Sequence, residues 1–557
     1  MDPFEPINIG NLEIKNRFAL APMISNLAEP DGFTNEIHSA YLEERAKGGY
    51  GLIITEYSYI DSPLSKGSRN ELSFVSFDQA PRLKRLTERI HSHNSKIFAQ
   101  LVHAGGKALT EGNQKAFAPS EIPYMGKIPR ELTVDEIEDI KLSFLKAAGI
   151  AETANFDGVE LHGAHAYLLQ EFISPSLNMR KDRYGNDFNG RIRLPQEIID
   201  LIRKETGLRV GIRLSLYEDE PDGYDSDYGL KVAESLKNID YVHFSSGRMI
   251  PPGSTASFYS PKGHIGLRLP RKPKVTTILV GSIMDLETVE RALEKSDMVS
   301  MGRGALADPY FPLKLKSGIM PRPCIRCNQA CRDLSYGQVR CTVNPITGNE
   351  THYSHGKITG NVSIGGAGVS GMEAALYLAK EGMKITIYEK SGKIGGELNT
   401  IARNNNWPEI KVLLKFYEEE IKRLGITVRY GEHRERDQVD IYLVGNNKYP
   451  EIPLENEIFV DSNLYQHLDQ ALNLSGERKV YLTERSIHSM DRHRQMEYRK
   501  QAEEAGITFV KDPDVRFKEH FIVRNQYDIY AASLRGINEA KDFLSRKVEK
   551  INSSFHP

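Results

Sequence analysis

All four cysteines of this 557-residue chain lie within one short stretch, PRPCIRCNQACRDLSYGQVRCTVNP (321–345). Their spacing is C-x2-C-x3-C-x9-C, at Cys324, Cys327, Cys331 and Cys341. Cysteines gathered in this way are typical of metal ligands or redox groups in a reducing compartment, not of a disulfide framework. Structural zinc sites usually pair two C-x2-C knuckles, whereas three close thiolates with a fourth further along suit a [4Fe–4S] cluster. The spacing alone leaves both open.

A second set of reactive residues lies in HGAHAY (162–167). His162 and His165 are three residues apart, and such a pair can donate two N–H hydrogen bonds to one carbonyl oxygen, which withdraws charge from a conjugated alkene. Tyr167 can then supply a proton to the α-carbon. A His-x-x-His pair can also bind a metal or lie on a helix surface, but no nearby cysteine or spaced carboxylate completes a metal site.

Short apolar runs alternate with longer amphipathic stretches before the cysteines, and HGAHAY follows the fourth run. The eight runs are RFALAPM (17–23), GLIITEY (51–57), KIFAQLVH (96–103), GVELHGA (158–164), RVGIRLS (209–215), YVHFSSG (241–247), TTILVG (276–281) and MVSMGR (298–303). Eight strands alternating with helices predict an α/β fold with an N-terminal (β/α)8 TIM barrel. The pairs GS (281–282) and GR (302–303) follow the seventh and eighth strands, where such barrels commonly bind phosphate.

A glycine-rich fingerprint lies beyond the cysteines, in NVSIGGAGVSGMEAALYLAKEGMKITIYEK (361–390). Gly366, Gly368 and Gly371 give G-x-G-x-x-G between a predicted strand and helix, and Glu389 ends the next strand. The glycines let the backbone approach a pyrophosphate at the helix N-terminus, and the acid binds the ribose hydroxyls. The segment therefore predicts a Rossmann-like domain for an adenine dinucleotide.

The overall composition excludes several classes of protein. The net charge is −2, with 39% hydrophobic and 27% charged residues, so the charge does not favour nucleic acid or an anionic membrane as a partner. No apolar run approaches the ~20 residues that a membrane span needs. The N-terminus, MDPFEPINIG, has neither the basic nor the apolar region of a signal peptide, so we expect a cytoplasmic protein.

The first 350 residues resemble the Old Yellow Enzyme family of FMN-dependent oxidoreductases. The resemblance is carried by APM (21–23), RAKGGYGLIITE (45–56), QLVHAGGKA (100–108), HGAHAYLLQEFISPSLNMRKDRYG (162–185) and MGRGALADP (301–309). A barrel followed by a cysteine segment is similar to the multidomain branch of that family. This branch includes 2,4-dienoyl-CoA reductase, 2-enoate reductase and trimethylamine dehydrogenase.

The resemblance implies an FMN at the carboxyl-terminal mouth of the barrel. The implied FMN-binding residues are Ala21, Pro22 and Met23 along the ring, Gln100 at its pyrimidine edge, Arg213 beside N1 and O2, and Gly281, Ser282, Gly302 and Arg303 at the phosphate. It also implies that the four cysteines hold a [4Fe–4S] cluster. The glycine fingerprint is implied to bind FAD, or an ADP moiety as in the amine dehydrogenases.

The barrel sequence departs from the family pattern at two places that bear on the substrate. Ile24 follows APM where many relatives carry a residue that hydrogen-bonds near flavin O4, and isoleucine cannot do so. The loop SSGRMIPPGST (245–255) lacks the second acid, a histidine, of the dienoyl-CoA reductases, and His264 lies further along. The trimethylamine branch fits less well, because no cysteine is spare for covalent FMN and Trp407, the one tryptophan, lies outside the barrel.

The downstream half lacks the second glycine fingerprint that relatives use for NAD(P)H. The strand expected to precede it, RKVYL (478–482), runs into TERSIHSMDRH (483–493) without a glycine. LVGNN (443–447) replaces the usual A-T-G turn, and the late Gly-Asp of the FAD site reads Tyr527–Asp528. Either this half binds FAD but no nicotinamide, or it is a scaffold that has lost both.

We therefore expect a barrel at 1–320, an iron–sulfur segment at 321–357 and a Rossmann-like domain at 358–557, with a degenerate NAD(P)H lobe at about 440–515. The expected function is an FMN- and [4Fe–4S]-dependent ene-reductase for an α,β-unsaturated carbonyl compound, either an enoate or a dienoyl-CoA-like substrate. NAD(P)H or an electron-transfer protein is the expected redox partner. The alternatives are an amine-type dehydrogenase that passes electrons through the cluster to an electron-transfer protein, and a non-catalytic electron-transfer or scaffold subunit. The oligomeric state stays open.

Overall fold

Eight parallel strands close into a barrel in the computed structural model. They are β1 (Phe18–Leu20), β2 (Leu52–Ile54), β3 (Lys96–Val102), β4 (Gly158–Gly163), β5 (Arg209–Ser215), β6 (Tyr241–Ser245), β7 (Thr276–Leu279) and β8 (Met298–Met301). Each strand pairs with the next one along the chain, and β8 pairs with β1, with Val299 opposite Phe18. The predicted α/β barrel is confirmed, strand by strand.

The structure describes residues 1–61, 64–112, 114–123, 127–248, 262–332, 334, 337–353, 358–402, 407–445, 457–462, 468, 471–472, 474–487, 492–510, 520–523 and 529–553. Tyr527–Asp528, the last two residues of LVGNN and part of the loop 245–255 lie outside the described residues.

Amphipathic helices cover the barrel. They are Glu36–Lys47, Ala80–His91, Val134–Thr153, Leu168–Ile173, Phe188–Glu205, Ser226–Ser235, His264–Arg268, Leu286–Leu293, Arg303–Ala307 and Phe311–Lys316. The helix Val134–Thr153 shows why such a segment folds as an amphipathic helix. Thr133 and Glu136 form a capping box at its start, and residues such as Ile137, Ile140 and Phe144 form its buried face. Short strands lie outside the barrel order at Ile7–Ile9, Leu12–Ile14, Ser58–Tyr59, Phe117–Ala118 and Arg130–Glu131.

The chain divides into two compact units. The first comprises Met1–Pro321, Cys331–Val339 and Thr347–Thr351, and the second comprises Arg322–Ala330, Arg340–Ile346 and His352–Pro557. Cys331 thus belongs to the barrel unit, and the other three cysteines belong to the second unit. The short helix Gln329–Arg332 contains residues of both.

The second unit contains a parallel four-stranded sheet around the glycine fingerprint. Its order is Thr427–Tyr430, Met383–Glu389, Gly360–Gly365 and Ile441–Tyr442, which is 3-2-1-4 in sequence order. The helix Val369–Lys380 follows the central strand. Other described helices of this unit are Leu398–Ile401, Glu409–Arg423 and Ile529–Ser553. This arrangement confirms the predicted Rossmann-like domain.

A second parallel sheet corrects one detail of the sequence interpretation. Its order is Thr508–Val510, Lys479–Thr483, Glu457–Ser462 and His520–Val523, and the helix Arg492–Glu504 precedes Thr508–Val510. The run RKVYL, which we expect to precede the missing glycine turn, forms the second strand of this sheet in chain order. The first and central strand is EIFVDS (457–462), a run too short and too acidic at its ends to be recognised from its composition. No described helix is long and apolar enough to cross a membrane.

Candidate active site

The carboxyl ends of β4, β5 and β6 bring the predicted catalytic histidines beside a buried arginine. His162 of β4 pairs in register with Arg213 of β5, which pairs with His243 of β6. Arg213 is 5% exposed, and its Nη2 donates to Ser245 Oγ at 3.2 Å. Burial lowers the pKa of Arg213 to about 10, despite the opposing charge of Glu160, so its guanidinium is charged at neutral pH.

His162 and His165 are in direct contact. His165 Nδ1 lies 3.4 Å from His162 Nε2, and His165 Nε2 lies 2.6 Å from Ser245 Oγ. The two rings are nearly perpendicular, with centroids 5.1 Å apart. Among the described residues, no group of histidine, cysteine, aspartate or glutamate side chains is arranged to hold a metal ion.

Both histidines are held in the neutral state. Burial lowers the pKa of each well below its usual value, and the charges of Arg213 and Lys107 lower it further. Arg332 has the same effect on His165. A neutral imidazole carries one N–H donor, so each ring can offer one hydrogen bond.

The turn after β4 has a strained backbone. His165 and Ala166 have φ angles of 61° and 50°, in the left-handed region that residues other than glycine seldom adopt. The turn is secured by the Ala166 N–H, which donates to Gln170 Oε1 at 2.8 Å, and by Lys107, whose Nζ donates to the His165 carbonyl. The next residue is Tyr167, at the N-cap of the helix Leu168–Ile173.

Tyr167 lies among side chains from three other segments. Its ring centroid is 4.8 Å from that of His162 and 5.1 Å from that of Tyr57, and Lys107 Nζ lies 5.2 Å from its ring centroid. Burial raises the pKa of Tyr167 to about 12, so the phenol keeps its proton at neutral pH. Sequence reasoning missed Tyr57 and Lys107 as members of this site, although both occur in the quoted motifs GLIITEY and QLVHAGGKA.

The expected flavin-lining turn APM contacts the opposite side of the barrel. The Ala21 N–H donates to the Met301 carbonyl at 3.0 Å, and the Pro22 carbonyl accepts from Arg213 Nη1 at 3.2 Å. A Cβ placed at Gly302 would lie 2.8 Å from Met23 Sδ, so only glycine fits there without a shift. The turn, the arginine and the eighth strand thus lie together.

Three buried side-chain polar atoms on β3, β4 and β5 have no hydrogen-bond partner among the described residues. They are Gln100 Oε1, Arg213 Nε and His162 Nδ1. Buried polar groups in folded proteins nearly always have a partner, which here can be a ligand. A flat, polar ring system with donors and acceptors on its edge would satisfy such a set, so these residues fit a flavin.

A buried network below these atoms holds Gln100. Glu160 accepts from Gln100 Nε2 at 2.6 Å and from Tyr241 Oη at 2.9 Å, and its Oε2 lies 3.0 Å from His243 Nδ1. Burial alone would raise the pKa of Glu160, but His243 and Arg213 outweigh it and lower the pKa. The Gln100 amide is therefore fixed with its NH2 toward Glu160 and its oxygen unpartnered. Glu160 and His243 lie inside apolar strands, where polarity is the one feature that marks them in the sequence.

The predicted phosphate turns contact each other. Arg303 Nη2 donates to Ser282 Oγ at 3.0 Å. Gly281 and Ser282 have φ angles of 119° and 55°, which turn the chain sharply after β7. His264 lies at this turn, because a Cβ placed at Gly281 would be 3.3 Å from His264 Cε1. His264 therefore sits beside the expected phosphate turn.

Each glycine of the fingerprint in the second unit has its own role. Gly366 has a φ of 97°, and a Cβ at Gly371 would lie only 1.9 Å from the Gly366 carbonyl oxygen. A Cβ at Gly368 would meet nothing within 4 Å, so this position faces open space at the start of the helix Val369–Lys380. Glu389 accepts from the Ala367 N–H and the Ser391 N–H, both at 2.8 Å, which places its carboxylate at the same turn. These features fit a dinucleotide.

Three of the four cysteines are buried in the second unit. Cys324, Cys327 and Cys341 are 8%, 7% and 8% exposed. Burial, together with the charges of the other two thiols, raises the pKa of Cys341 to about 12, so the three thiols are electrostatic neighbours. None of the four forms a disulfide.

The loop that carries these cysteines is fixed by its neighbours. Trp407 Nε1 donates to the Ile325 carbonyl at 2.7 Å, and the Arg326 N–H points at Cys324 Sγ, 3.4 Å away. The side chains as placed do not form a closed metal site among the described residues. The donor type still fits a cluster, because close, buried thiols repel one another as thiolates unless a cation shares their charge.

The sequence profile of the NADH:flavin oxidoreductase / NADH oxidase family matches residues 2–321. The chain belongs to this family. The resemblance to Old Yellow Enzyme is confirmed, and the protein is a flavin-dependent oxidoreductase. Residues 364–415 match the profile of the NAD(P)-binding Rossmann-like domain.

The similarity to named relatives extends beyond the barrel. An NADH oxidase from Thermoanaerobacter brockii is 37% identical over 451 residues, which cover 77% of this chain and 69% of the relative. A cinnamate reductase from Clostridium sporogenes is 33% identical over 475 residues, which cover 76% of this chain and 70% of the relative. The structure of a 2-naphthoyl-CoA reductase with 2-naphthoyl-CoA shares the fold, with a TM-score of 0.83 over 91% of this chain and 87% of the other at 23% identity.

Proposed function

We propose that this family member is an FMN- and iron–sulfur-dependent ene-reductase that reduces an α,β-unsaturated carbonyl compound. The observation that carries the proposal is the cluster of His162, His165 and Tyr167 at the carboxyl end of β4. Two neutral imidazoles stand beside a protonated phenol, next to unpartnered atoms that suit a flavin edge. The 33% identical cinnamate reductase acts on a substrate of this class and supports the proposal.

The roles of the residues follow from their protonation states. A bound FMN would supply the hydride for the β-carbon. His162, through its unpartnered Nδ1, would donate an N–H hydrogen bond to the carbonyl oxygen, where negative charge develops, and His165 would donate a second one once its contact with His162 or Ser245 is released. Tyr167 would then transfer its proton to the α-carbon. Gln100 and Arg213 would hold the pyrimidine edge of the flavin, with Ser282 and Arg303 at its phosphate.

The charges at the site favour this reaction over amine oxidation. Arg213, Lys107 and Arg332 all act on His165, and each lowers its pKa. The nearby carboxyls Glu71 and Glu171 have pKa values raised by burial, so they contribute little negative charge at neutral pH. A cationic amine would be repelled here, whereas a carboxylate or a polarised carbonyl would be attracted.

The position of His264 bears on which class of substrate is reduced. It lies beside the turn after β7, at the expected phosphate, so we assign the acid role to Tyr167 alone. With Tyr167 as the single acid named here, a simple enoate, enone or enoyl thioester is favoured over a dienoyl thioester.

Anaerobic stopped-flow spectroscopy tests the proposed function. The flavin is first reduced with NADH or NADPH and then mixed with cinnamate, a cyclic enone or an enoyl thioester. In parallel, the oxidised protein is mixed with secondary and tertiary amines. We expect the activated alkenes to reoxidise the flavin and the amines to leave it oxidised. Reduction by an amine without reoxidation by any alkene would establish the dehydrogenase instead.

The histidine pair should stay neutral across the ordinary titration range. Because the pKa of each is lowered, neither should take up a proton between about pH 7.5 and 5.5, where exposed histidines titrate. The measurement is NMR of protein labelled at the histidine ring carbons, with His165→Asn to assign the signals. A histidine signal of this pair that moves with a midpoint near 6.5 would contradict the neutral assignment.

The cysteine segment should hold one cluster. A [4Fe–4S] cluster would supply single-electron transfer between redox centres, with Cys324, Cys327, Cys331 and Cys341 as its ligands. Protein purified without oxygen should then contain about four irons per chain, and Cys341→Ser should lose most of them. Stoichiometric zinc without iron, in protein produced with ample iron, would overturn the assignment.

A further inference from the structure

Glu160 is a carboxylate inside the barrel that takes no part in the reaction described above. It lies on β4, directly beside Gln100 in the pairing of β3 with β4, and it is 0% exposed. A charge at such a position is costly unless hydrogen-bond donors surround it. Three side chains lie within hydrogen-bond distance of its oxygens: Gln100 Nε2 at 2.6 Å, Tyr241 Oη at 2.9 Å and His243 Nδ1 at 3.0 Å.

A glycine on β5 lets side chains of β6 reach Glu160 on β4. Gly211 pairs in register with Glu160 on one side and with Tyr241 on the other. A Cβ at Gly211 would lie 2.1 Å from Tyr241 Cε1, so the tyrosine ring fills the space that a β5 side chain would take. Tyr241 and His243 are two residues apart on one strand and therefore face the same side of the sheet. Both contact the same carboxylate oxygen, Glu160 Oε2.

The other carboxylate oxygen, Oε1, is left for Gln100. A carboxylate accepts hydrogen bonds and cannot donate them, so it selects the NH2 end of the Gln100 amide. The oxygen of that amide is buried and has no partner among the described residues. A buried carbonyl oxygen needs a donor, and the pyrimidine edge of a flavin carries a ring N–H between two carbonyls. The choice made at Glu160 therefore sets which end of Gln100 meets the flavin.

The charge of Glu160 also acts on Arg213. Burial alone would raise the pKa of Glu160, but His243 and Arg213 outweigh burial and lower it, so the carboxylate is ionised at neutral pH. Glu160 in turn raises the pKa of Arg213 against the larger, opposite effect of burial. A negative charge near a flavin disfavours the extra electrons of the reduced ring, whereas a guanidinium favours them. Glu160 thus offsets part of the effect of Arg213.

We propose that Glu160 is a positioning residue for the flavin: it accepts from the Gln100 NH2 and so presents the Gln100 oxygen to the ring N–H, and its buried charge offsets that of Arg213 and lowers the reduction potential of bound FMN. The inference rests on the proposed placement of FMN at Gln100 and Arg213. It does not depend on which substrate the reduced flavin meets.

The test compares Glu160→Gln and Glu160→Asp in the full-length holoenzyme. Glu160→Gln keeps the shape, removes the charge and lets the Gln100 amide turn over, because the new amide can donate as well as accept. Glu160→Asp keeps the charge but is one methylene shorter, which withdraws the acceptor from Gln100. FMN affinity is measured by ultrafiltration of diluted protein and chromatography of the free FMN. The midpoint potential of FMN is measured by anaerobic spectroelectrochemical titration.

We expect both variants to bind FMN roughly 10-fold more weakly, as for the loss of one buried hydrogen bond. The midpoint potential of FMN should rise in Glu160→Gln and stay unchanged in Glu160→Asp. Asp157→Asn is the matched control, because Asp157 precedes the same strand at its amino end and also contacts a histidine, with His91 Nε2 2.7 Å from its Oδ2. This control should change neither the affinity nor the potential.

Unchanged FMN affinity in both Glu160 variants would overturn the positioning role, and a potential that does not rise in Glu160→Gln would overturn the role of the charge. Equal effects of Asp157→Asn would assign the changes to the stability of the barrel and overturn the inference. If the unaltered protein binds no FMN, the proposed placement of the cofactor fails. If it binds FMN and the Glu160 variants match it in affinity and potential, only the role of Glu160 fails.

Discussion

Replacement of Tyr167 by phenylalanine should slow the reoxidation of reduced flavin by an activated alkene on the order of 10²–10⁴-fold, the usual contribution of a general acid. The change removes one oxygen and keeps the ring that packs against His162 and Tyr57. Because the pKa of Tyr167 is about 12, the phenol is protonated throughout the neutral range and is ready to donate. Flavin reduction by NAD(P)H needs no such proton and should barely change.

Stopped-flow absorbance of the two half-reactions separates these outcomes. Tyr184→Phe is a suitable control, since its hydroxyl hydrogen-bonds to Glu138 and Glu197 on the outer helices of the barrel. It should leave both half-reactions intact. If Tyr167→Phe reoxidises as fast as the unaltered protein, the proton comes from elsewhere, and Tyr167 leaves the mechanism.

The barrel could be predicted because its signal is local and repeated. Each strand is a short apolar run between turn residues, and each helix carries its own cap and buried stripe, as Thr133 and Phe144 show in the helix Val134–Thr153. Strand order then follows from chain order, since neighbouring strands of a (β/α)8 barrel are consecutive. The position of HGAHAY at the carboxyl end of β4 followed from the same rule.

The contacts inside the site could not be predicted in this way. Tyr57 and Tyr167 are more than a hundred residues apart and meet only because the barrel closes. Whether Gln100 offers its oxygen or its amino group depends on Glu160, which in turn depends on His243 from another strand. Such networks depend on side-chain orientation and burial, which leave no periodic trace in the sequence.

The second sheet of the C-terminal unit shows that a strand is also missed where its local sequence signal is weak. Its central strand, Glu457–Ser462, has only three apolar residues in sequence, Ile458, Phe459 and Val460, all buried. No glycine turn follows this run in the sequence to mark it as the first strand of a nucleotide-binding sheet. Parallel sheets bury their central strands through tertiary packing, which composition alone does not reveal.

Gly368→Asp should abolish retention of a dinucleotide in the second unit. The backbone at Gly368 has φ −72° and ψ −180°, which any residue can adopt, and a Cβ there meets no protein atom within 4 Å. The protein therefore accommodates the new side chain, while a pyrophosphate at the helix N-terminus would meet its bulk and its negative charge. The measurement is chromatography of the flavins and nucleotides released by denaturation. We expect FMN to remain and the adenine dinucleotide, FAD in our proposal, to be missing.

The control adds the same charge nearby but outside the fingerprint. Gly392 is exposed, and a Cβ there also meets nothing within 4 Å, so Gly392→Asp should keep the dinucleotide. A loss in both variants would mean that charge near the domain, and not the pyrophosphate contact, is responsible.

The Gly368→Asp variant also tests where NAD(P)H delivers its electrons. The five residues after Ser462 read NLYQH, without a glycine, so we expect no specific NAD(P)H site in this half. NAD(P)H should then reduce the FMN directly at the mouth of the barrel. In single-turnover reduction, Gly368→Asp should leave that step nearly intact. If NAD(P)H reduces the unaltered protein rapidly but reduces FMN-loaded Gly368→Asp not at all, hydride enters through the fingerprint domain, and the nucleotide held there carries electrons to the barrel.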